Sequence, residues 1–277
     1  MLRDRVLSAL ILAPPALAAI LWLPPTGFAV MVALIFALGA WEWARLSGFN
    51  GTGRLLSTAF MLLLMAGALQ TSHARESEAA MIAATALSWL VLPLWFLRPG
   101  KASGTTLARR LFKLLLGCWI ILGSFIAVVW LRQQGDPNSL LNGSEWIFML
   151  LFLIWSADIG AYFSGRRLGR HKLAPAISPG KTWEGVLGGL LLALATGWSG
   201  NQLLQLLPAE NTLPWLGLTA LVAVISVVGD LIISLLKRQA HLKDSSNLIP
   251  GHGGILDRFD SLFSASPWLA LGLLWLK

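Results

Sequence analysis

Most of the side chains able to do chemistry lie in two stretches. In the later one, Asp230, Ser234 and Lys237 are spaced i, i+4 and i+7, which puts them on one face of a helix. The chain then reads Lys237-Arg238, Lys243-Asp244, Pro250-Gly251-His252-Gly253-Gly254, Asp257-Arg258 and Asp260. Asp257 and Asp260 are spaced i, i+3, so both can face one metal ion if a helix begins beside them. Carboxylates completed by water and phosphate oxygens are the natural shell of Mg²⁺. Lys and Arg match the phosphates such an ion would carry. Glycine-rich backbone permits close approach of a ligand and supplies N–H donors. The stretch reads as a site for phosphate plus metal. The plainer alternative is a solvated loop with a glycine turn, but carboxylates in so charge-poor a chain seldom cluster idly. His252, the only histidine of the cluster, could orient a phosphate or position the loop. No His/Cys spacing suggests zinc.

The earlier stretch holds Asp158, Gly160, Tyr162, Gly165-Arg166-Arg167-Leu168-Gly169-Arg170, Lys172 and Ser178-Pro179-Gly180-Lys181-Thr182-Trp183-Glu184-Gly185. Gly180-Lys181-Thr182 is not a P-loop, because the upstream glycine spacing and the preceding strand are missing. Lys181 and Thr182 still precede an apolar run, at a helix start that favours anions. Glu184 could bind metal or cap that start, and capping is the preferred reading. The arginines of 166–170 could grip an anionic head group or simply mark the cytoplasmic side. Asp158 and Asp230 interrupt apolar runs. A carboxylate in hydrocarbon is costly, so it usually faces a polar interior and serves function, the alternative being a helix-packing partner. Both fall toward the same end of their runs, which predicts that they open into one cavity.

The elements that carry these residues are membrane spans. The chain has 277 residues, of which 12% are charged and 56% hydrophobic, against about 25% charged in an average soluble domain. This balance excludes a soluble enzyme and a disordered chain, and the single cysteine, Cys118, excludes a disulfide scaffold. A span needs about 20 mostly apolar residues. About nine runs qualify: 6–23, 26–46, 55–70, 79–97, 111–131, 146–163, 184–207, 214–236 and 261–276. They lack the period-two alternation of barrel strands. The predicted fold is an all-α polytopic membrane protein. Residues 1–145 form about five N-terminal spans, and 146–277 form a catalytic part with polar loops at 164–183 and 237–260. Arg3 and Arg5 precede the first run as in a signal peptide, but the eight further runs favour an uncleaved helix. Nearly all Lys and Arg fall on one side of this arrangement. The other side holds only Arg75, Arg132 and Lys277, with Lys113 inside the fifth run. The positive-inside rule puts the N-terminus and both polar loops in the cytoplasm and the C-terminus opposite. The net charge of +8 is then topological and calls for no nucleic acid. Many of the 14 tryptophans lie near run ends, as in an interfacial belt.

The string Ser234-x-x-Lys237-Arg238-x4-Lys243-Asp244-x5-Pro250-x-His252-Gly253-Gly254-x-x-Asp257-Arg258-x-Asp260 resembles the signature of the bacterial CDP-diacylglycerol synthase (phosphatidate cytidylyltransferase) family. Residues 158–185 resemble that family's second polar region. The opening Met1-Leu2-Arg3-x-Arg5 and the Trp41-Glu42-Trp43 string are also similar. Ser246 departs from the pattern, in which many members carry Gly. The resemblance implies conversion of CTP and phosphatidic acid to CDP-diacylglycerol and pyrophosphate at the bacterial inner membrane, by a homodimer. It implies Mg²⁺, with K⁺ as a candidate second ion. Metal would be held by Asp230 and Asp257, supported by Asp260 and Asp244. Lys237, Arg238, Lys243 and Arg258 would meet phosphates, with His252 in the catalytic set. Asp158, Ser178, Lys181, Thr182, Glu184, Ser234, Gly253 and Gly254 would line the substrate site. Two alternatives remain at this level. One is a CTP-dependent polyprenol or phytol kinase, which transfers the γ-phosphoryl group. The other is an ion-coupled transporter, although no inverted repeat is present and the polar residues gather on one side.

Overall fold

The computed structural model describes residues 2–70, 75–96, 106–139, 141–249, 251 and 253–276. Pro250 and His252, and Arg98, Lys101 and Lys277 of the charge division, lie outside the described residues. Among the described residues there are nine α-helices. They are α1 (Leu2–Trp22), α2 (Pro25–Leu46), α3 (Gly51–Gln70), α4 (Arg75–Phe96), α5 (Leu107–Gln133), α6 (Glu145–Leu168), α7 (Trp183–Leu204), α8 (Thr212–Gln239) and α9 (Leu256–Leu276). Between α6 and α7 lies an antiparallel hairpin of β1 (Lys172–Ala174) and β2 (Ser178–Thr182), pairing Lys172 with Thr182 and Ala174 with Ser178. A strand therefore does lead into α7. It contains Gly180-Lys181-Thr182 itself rather than preceding it, so no phosphate-cradling loop forms there.

Local chemistry sets the element ends. Pro24 is extended and Pro25 opens α2, where its fixed φ suits the first helical turn. Gly48 follows α2 with φ +88°, a left-handed conformation that L side chains avoid. Thr182 caps α7, its hydroxyl oxygen accepting the Gly185 N–H at 3.1 Å.

Seven of the nine helices are long and apolar enough to cross a membrane: α2, α3, α4, α5, α6, α8 and α9. In α1 the apolar helical part is Ala13–Trp22. In α7 a series of glycines, with Asn201 and Gln202, dilutes the apolar content. The protein is an all-α, multi-pass membrane protein. Exposed Val30, Leu34 and Leu38 on α2, Leu56 and Leu63 on α3, and Leu87 and Leu94 on α4 suit contact with lipid.

Helices approach closely where small residues allow it, as is common in membranes. A Cβ on Gly160 of α6 would sit 2.5 Å from the Gly188 carbonyl oxygen of α7, and one on Gly189 would sit 2.5 Å from that of Ala157. Gly229 of α8 leaves room for Ser264 of α9, whose hydroxyl donates to the Ile225 carbonyl at 2.9 Å. On α2, Phe36 packs edge-on against Phe263 and Phe259, with centroids 4.8 and 6.2 Å apart. One turn on, Gly39 contacts Leu256 and Phe263. Thus α9 packs against α8, α5, α4, α6 and α2, and Phe36, Trp89, Phe125, Trp215 and Phe263 share one core. Trp43, Trp89, Trp146 and Trp215 are buried in that core rather than forming an interfacial belt. For two of them the indole N–H finds an internal acceptor: Trp43 donates to Lys113 O and Trp215 to Gly197 O, each at 2.8 Å. Trp22, Trp155, Trp183, Trp198 and Trp275 are exposed, as a belt requires.

Candidate active site

The site forms where the end of α8, the start of α9, the polar half of α6 and strand β2 meet. Helix α8 presents Asp230, Ser234 and Lys237 at the predicted spacing. The Asp230 carboxylate accepts the Ser234 hydroxyl at 3.1 Å through Oδ1, and Lys181 Nζ of β2 lies 2.5 Å from its Oδ2. Asp158 of α6 lies within electrostatic reach of Lys181 and Asp230. Asp260 of α9 lies within reach of Asp230, Lys181 and Lys237. Its Oδ1 also accepts the Ser261 N–H at 2.7 Å. Asp158 and Asp230 therefore lie within electrostatic reach of each other. The structure adds Asp260 to them and sets Lys181 among the three acids.

Asp257 is engaged at both oxygens. Oδ1 accepts from Lys237 Nζ at 2.7 Å, with the two side chains only 5% and 11% exposed. Oδ2 accepts the Ser245 N–H (2.8 Å), the Ser245 hydroxyl (2.9 Å) and the Gly254 N–H (2.9 Å). This explains the glycine pair. Gly253 has φ +83°, and a Cβ there would come 2.7 Å from Asp257 Oδ2. A methyl on Gly254 would collide with the Ser245 hydroxyl and with the carboxylate of Glu42. Backbone bonds between Ile249 and Gly253 close the loop ahead of α9.

Other predicted residues take supporting or peripheral places. Thr182 is buried and serves as the α7 cap. The Glu184 carboxylate accepts its own N–H in the first turn of α7 and the His171 N–H, and faces His171 Nδ1 at 2.6 Å, so it serves the helix start beside the Thr182 cap and fastens the entrance of the hairpin. Ser178 opens β2. Arg238 Nε donates to the Ile177 carbonyl at 3.4 Å, tying the hairpin turn to the end of α8. Lys243, Asp244 and Arg258 are exposed. Among the described residues, no three His, Cys, Asp or Glu side chains come close enough together to hold a metal ion on their own.

Three residues near the site carried no role in the sequence reading. Glu42, at the polar end of α2, is fully buried against the loop before α9. Arg45 Nη1 donates to the Ser245 carbonyl at 2.8 Å. Ser245 touches both Glu42 and Asp257. The one available signal was a carboxylate between two tryptophans in an otherwise apolar run. Ser246, where the resembling family often has Gly, gives its hydroxyl to Glu42.

Comparisons with known proteins agree with this architecture. A model of the cytidylyltransferase family matches residues 3–275. A phosphatidate cytidylyltransferase of Pseudomonas aeruginosa is 41% identical over 276 residues, covering 99% of this chain and 97% of its own. One of Haemophilus influenzae is 37% identical, covering 98% of each chain. One of Bacillus subtilis is 46% identical over 130 residues, 46% of each chain. With a family match that runs through all nine helices and both polar stretches, the chain belongs to the cytidylyltransferase family and is a nucleotidyltransferase.

Proposed function

We propose that this protein transfers the cytidylyl group of CTP to phosphatidate, giving CDP-diacylglycerol and pyrophosphate for phospholipid synthesis. The observation that carries the reading is the convergence of Asp158, Lys181, Asp230, Lys237, Asp257 and Asp260 at one end of a helical membrane protein. The full-length relatives bear the name of that activity. The phosphate monoester of the lipid loses its second proton near a pKa of about 6, so it is largely a dianion at neutral pH and needs no general base. It attacks the α-phosphorus of CTP directly, without a covalent enzyme intermediate.

The main barrier is repulsion between two polyanions. Lys181, Lys237, Arg238, Lys243 and Arg258 meet the phosphates and take up charge on the leaving pyrophosphate. Asp230 and Asp257, with Asp260 in support, would offer carboxylates to Mg²⁺ alongside water and phosphate oxygens, and the ion would supply neutralisation of the triphosphate and alignment of the displacement. The donor set fits such an ion. The ammonium groups of Lys181 and Lys237 already occupy a cation's place on Asp230 and Asp257. Mg²⁺ commonly takes only one or two carboxylates and completes its shell with water and phosphate oxygens. When triphosphate binds, both lysines can turn from carboxylate to phosphate. Asp158, Ser178 and Ser234 border the substrates, while Thr182, Glu184, Gly253 and Gly254 hold the hairpin and loop in place. The enzyme resides in the bacterial inner membrane as a homodimer, with its N-terminus and site in the cytoplasm and its C-terminus opposite.

The test is turnover by protein purified in detergent, with phosphatidate, CTP and Mg²⁺, reading pyrophosphate release together with the mass of the lipid. The expected product is heavier by one cytidylyl group and is lost in EDTA. A lipid that gains a phosphoryl group without cytidine would make the protein a CTP-dependent lipid kinase. Intact CTP across several lipid acceptors would overturn the enzymatic reading.

A further inference from the structure

We propose that Glu42, on α2 in the N-terminal half, is a positioning residue for nucleotidyl transfer. It sets the loop and helix start that hold Asp257 and Asp260. Its carboxylate is fully buried and engaged on both oxygens. Oε1 accepts the Ile255 N–H at 2.9 Å and the Ser246 hydroxyl. Oε2 accepts the Leu256 N–H and the Ser245 hydroxyl, each at 2.8 Å. Ile255 precedes α9 and Leu256 opens it, where N–H groups lack intrahelical acceptors and a negative charge is favoured. Glu42 therefore supplies, from another helix, acceptors for N–H groups at the start of α9.

The contact continues toward the chemistry. The same Ser245 oxygen that meets Glu42 lies 2.9 Å from Asp257 Oδ2. The Ser245 oxygen thus stands between the two carboxylates, and its single proton can be given to either one at a time. From the next turn of α2, Arg45 holds the carbonyl of that same serine. The approach is close enough that only glycine fits at Gly254, between Ser245 and Glu42. Below this polar clamp, Phe36 and Gly39 on the same helix pack on Phe259, Phe263 and Leu256. The orientation of α2 is thereby fixed relative to the start of α9. The N-terminal helices do more than anchor the protein: through Glu42 they set where the Asp257 carboxylate stands.

This inference rests on the phosphatidate cytidylyltransferase reading for its activity arm and on the loop alone for its exchange arm. The experiment uses the full-length protein in detergent, as wild type, E42Q, S245A and the double variant. It measures kcat and KM for CTP with phosphatidate, and hydrogen–deuterium exchange of peptides covering 245–256. Glutamine keeps the shape but turns an N–H₂ toward donors. E42Q is expected to lower kcat by about 10- to 100-fold, the range for groups that orient a reacting side chain, with KM for CTP changed less than about threefold. Exchange over 245–256 should quicken while exchange over α6 and α7 stays as in wild type. The double variant should lose little more than E42Q, because both act through one contact. Wild-type kcat and wild-type exchange in E42Q would overturn the proposal. So would a loss of kcat accompanied by faster exchange across the whole protein, which marks a general structural role. If wild type forms no cytidylyl lipid, the functional reading fails, and the exchange arm still decides whether Glu42 holds the loop.

Discussion

Replacing Asp257 by Ala separates what that carboxylate does for the fold from what it does for the reaction. In the native structure it pairs with Lys237 at 2.7 Å, both side chains nearly buried, and its other oxygen takes three further donors. Removing one partner of a buried ion pair leaves an uncompensated charge and costs about 3–5 kcal/mol. Asp230 and Asp260 both lie within electrostatic reach of Lys237 and partly offset that charge, so D257A should fall at the lower end, about 3 kcal/mol. Adding K237M removes the stranded ammonium and should restore about 1 kcal/mol. The remaining deficit is the Ser245 and Gly254 N–H groups left without an acceptor. Equilibrium unfolding in mixed micelles measures the stabilities, and lipid cytidylylation measures the function. Turnover should be abolished in D257A and stay abolished in the double variant, since restored stability does not replace the carboxylate. Two results would refute this reasoning. One is a double variant no more stable than D257A, which would mean that the pair is not a buried ion pair. The other is D257A turning over at a near-normal rate.

Further outcomes follow from the same geometry. K181M strands Asp158, Asp230 and Asp260 without the lysine set among them, and kcat should drop by at least about 100-fold, as read by steady-state pyrophosphate release. G254A forces a methyl against Ser245 and Glu42 and should cost about 1–3 kcal/mol of stability. On α3 nothing stands within 4 Å of a Cβ at Gly67, so G67A should be neutral or gain up to about 1 kcal/mol. The same micelle assay compares the two glycine variants. Turnover should fall about tenfold per pH unit below about pH 6, as the attacking lipid phosphate gains a proton and loses its dianionic form. A flat profile from pH 7 to 5 would contradict a dianionic nucleophile.

Much of the molecule was legible in the chain itself. Long apolar runs can satisfy their backbone in a membrane only as helices, so the runs became α2 to α6, α8 and α9 with boundaries within a few residues of those expected. The facing of Asp230, Ser234 and Lys237 also followed from local spacing, because helical periodicity is the same wherever the helix packs. The nearness of Asp158 and Asp230 followed from their falling toward the same end of their runs. Other features depended on partners far away in sequence. Glu42 meets Ser245 across 203 positions, and nothing around Glu42 names that partner until Phe36 and Gly39 dock α2 on α9. Trp43 and Trp215 resembled interfacial anchors, yet tertiary packing gave their N–H groups buried acceptors. Glu184 stands in the first turn of α7 as its spacing suggested, and the hairpin adds His171 to it beside the Thr182 cap. Residue types and periodicity determined which groups could react and which segments could span, since both are set by local chemistry and the solvent around the helix. Only the tertiary structure decided which charge faces which, because that depends on how α2, α6, α8, α9 and the hairpin pack together.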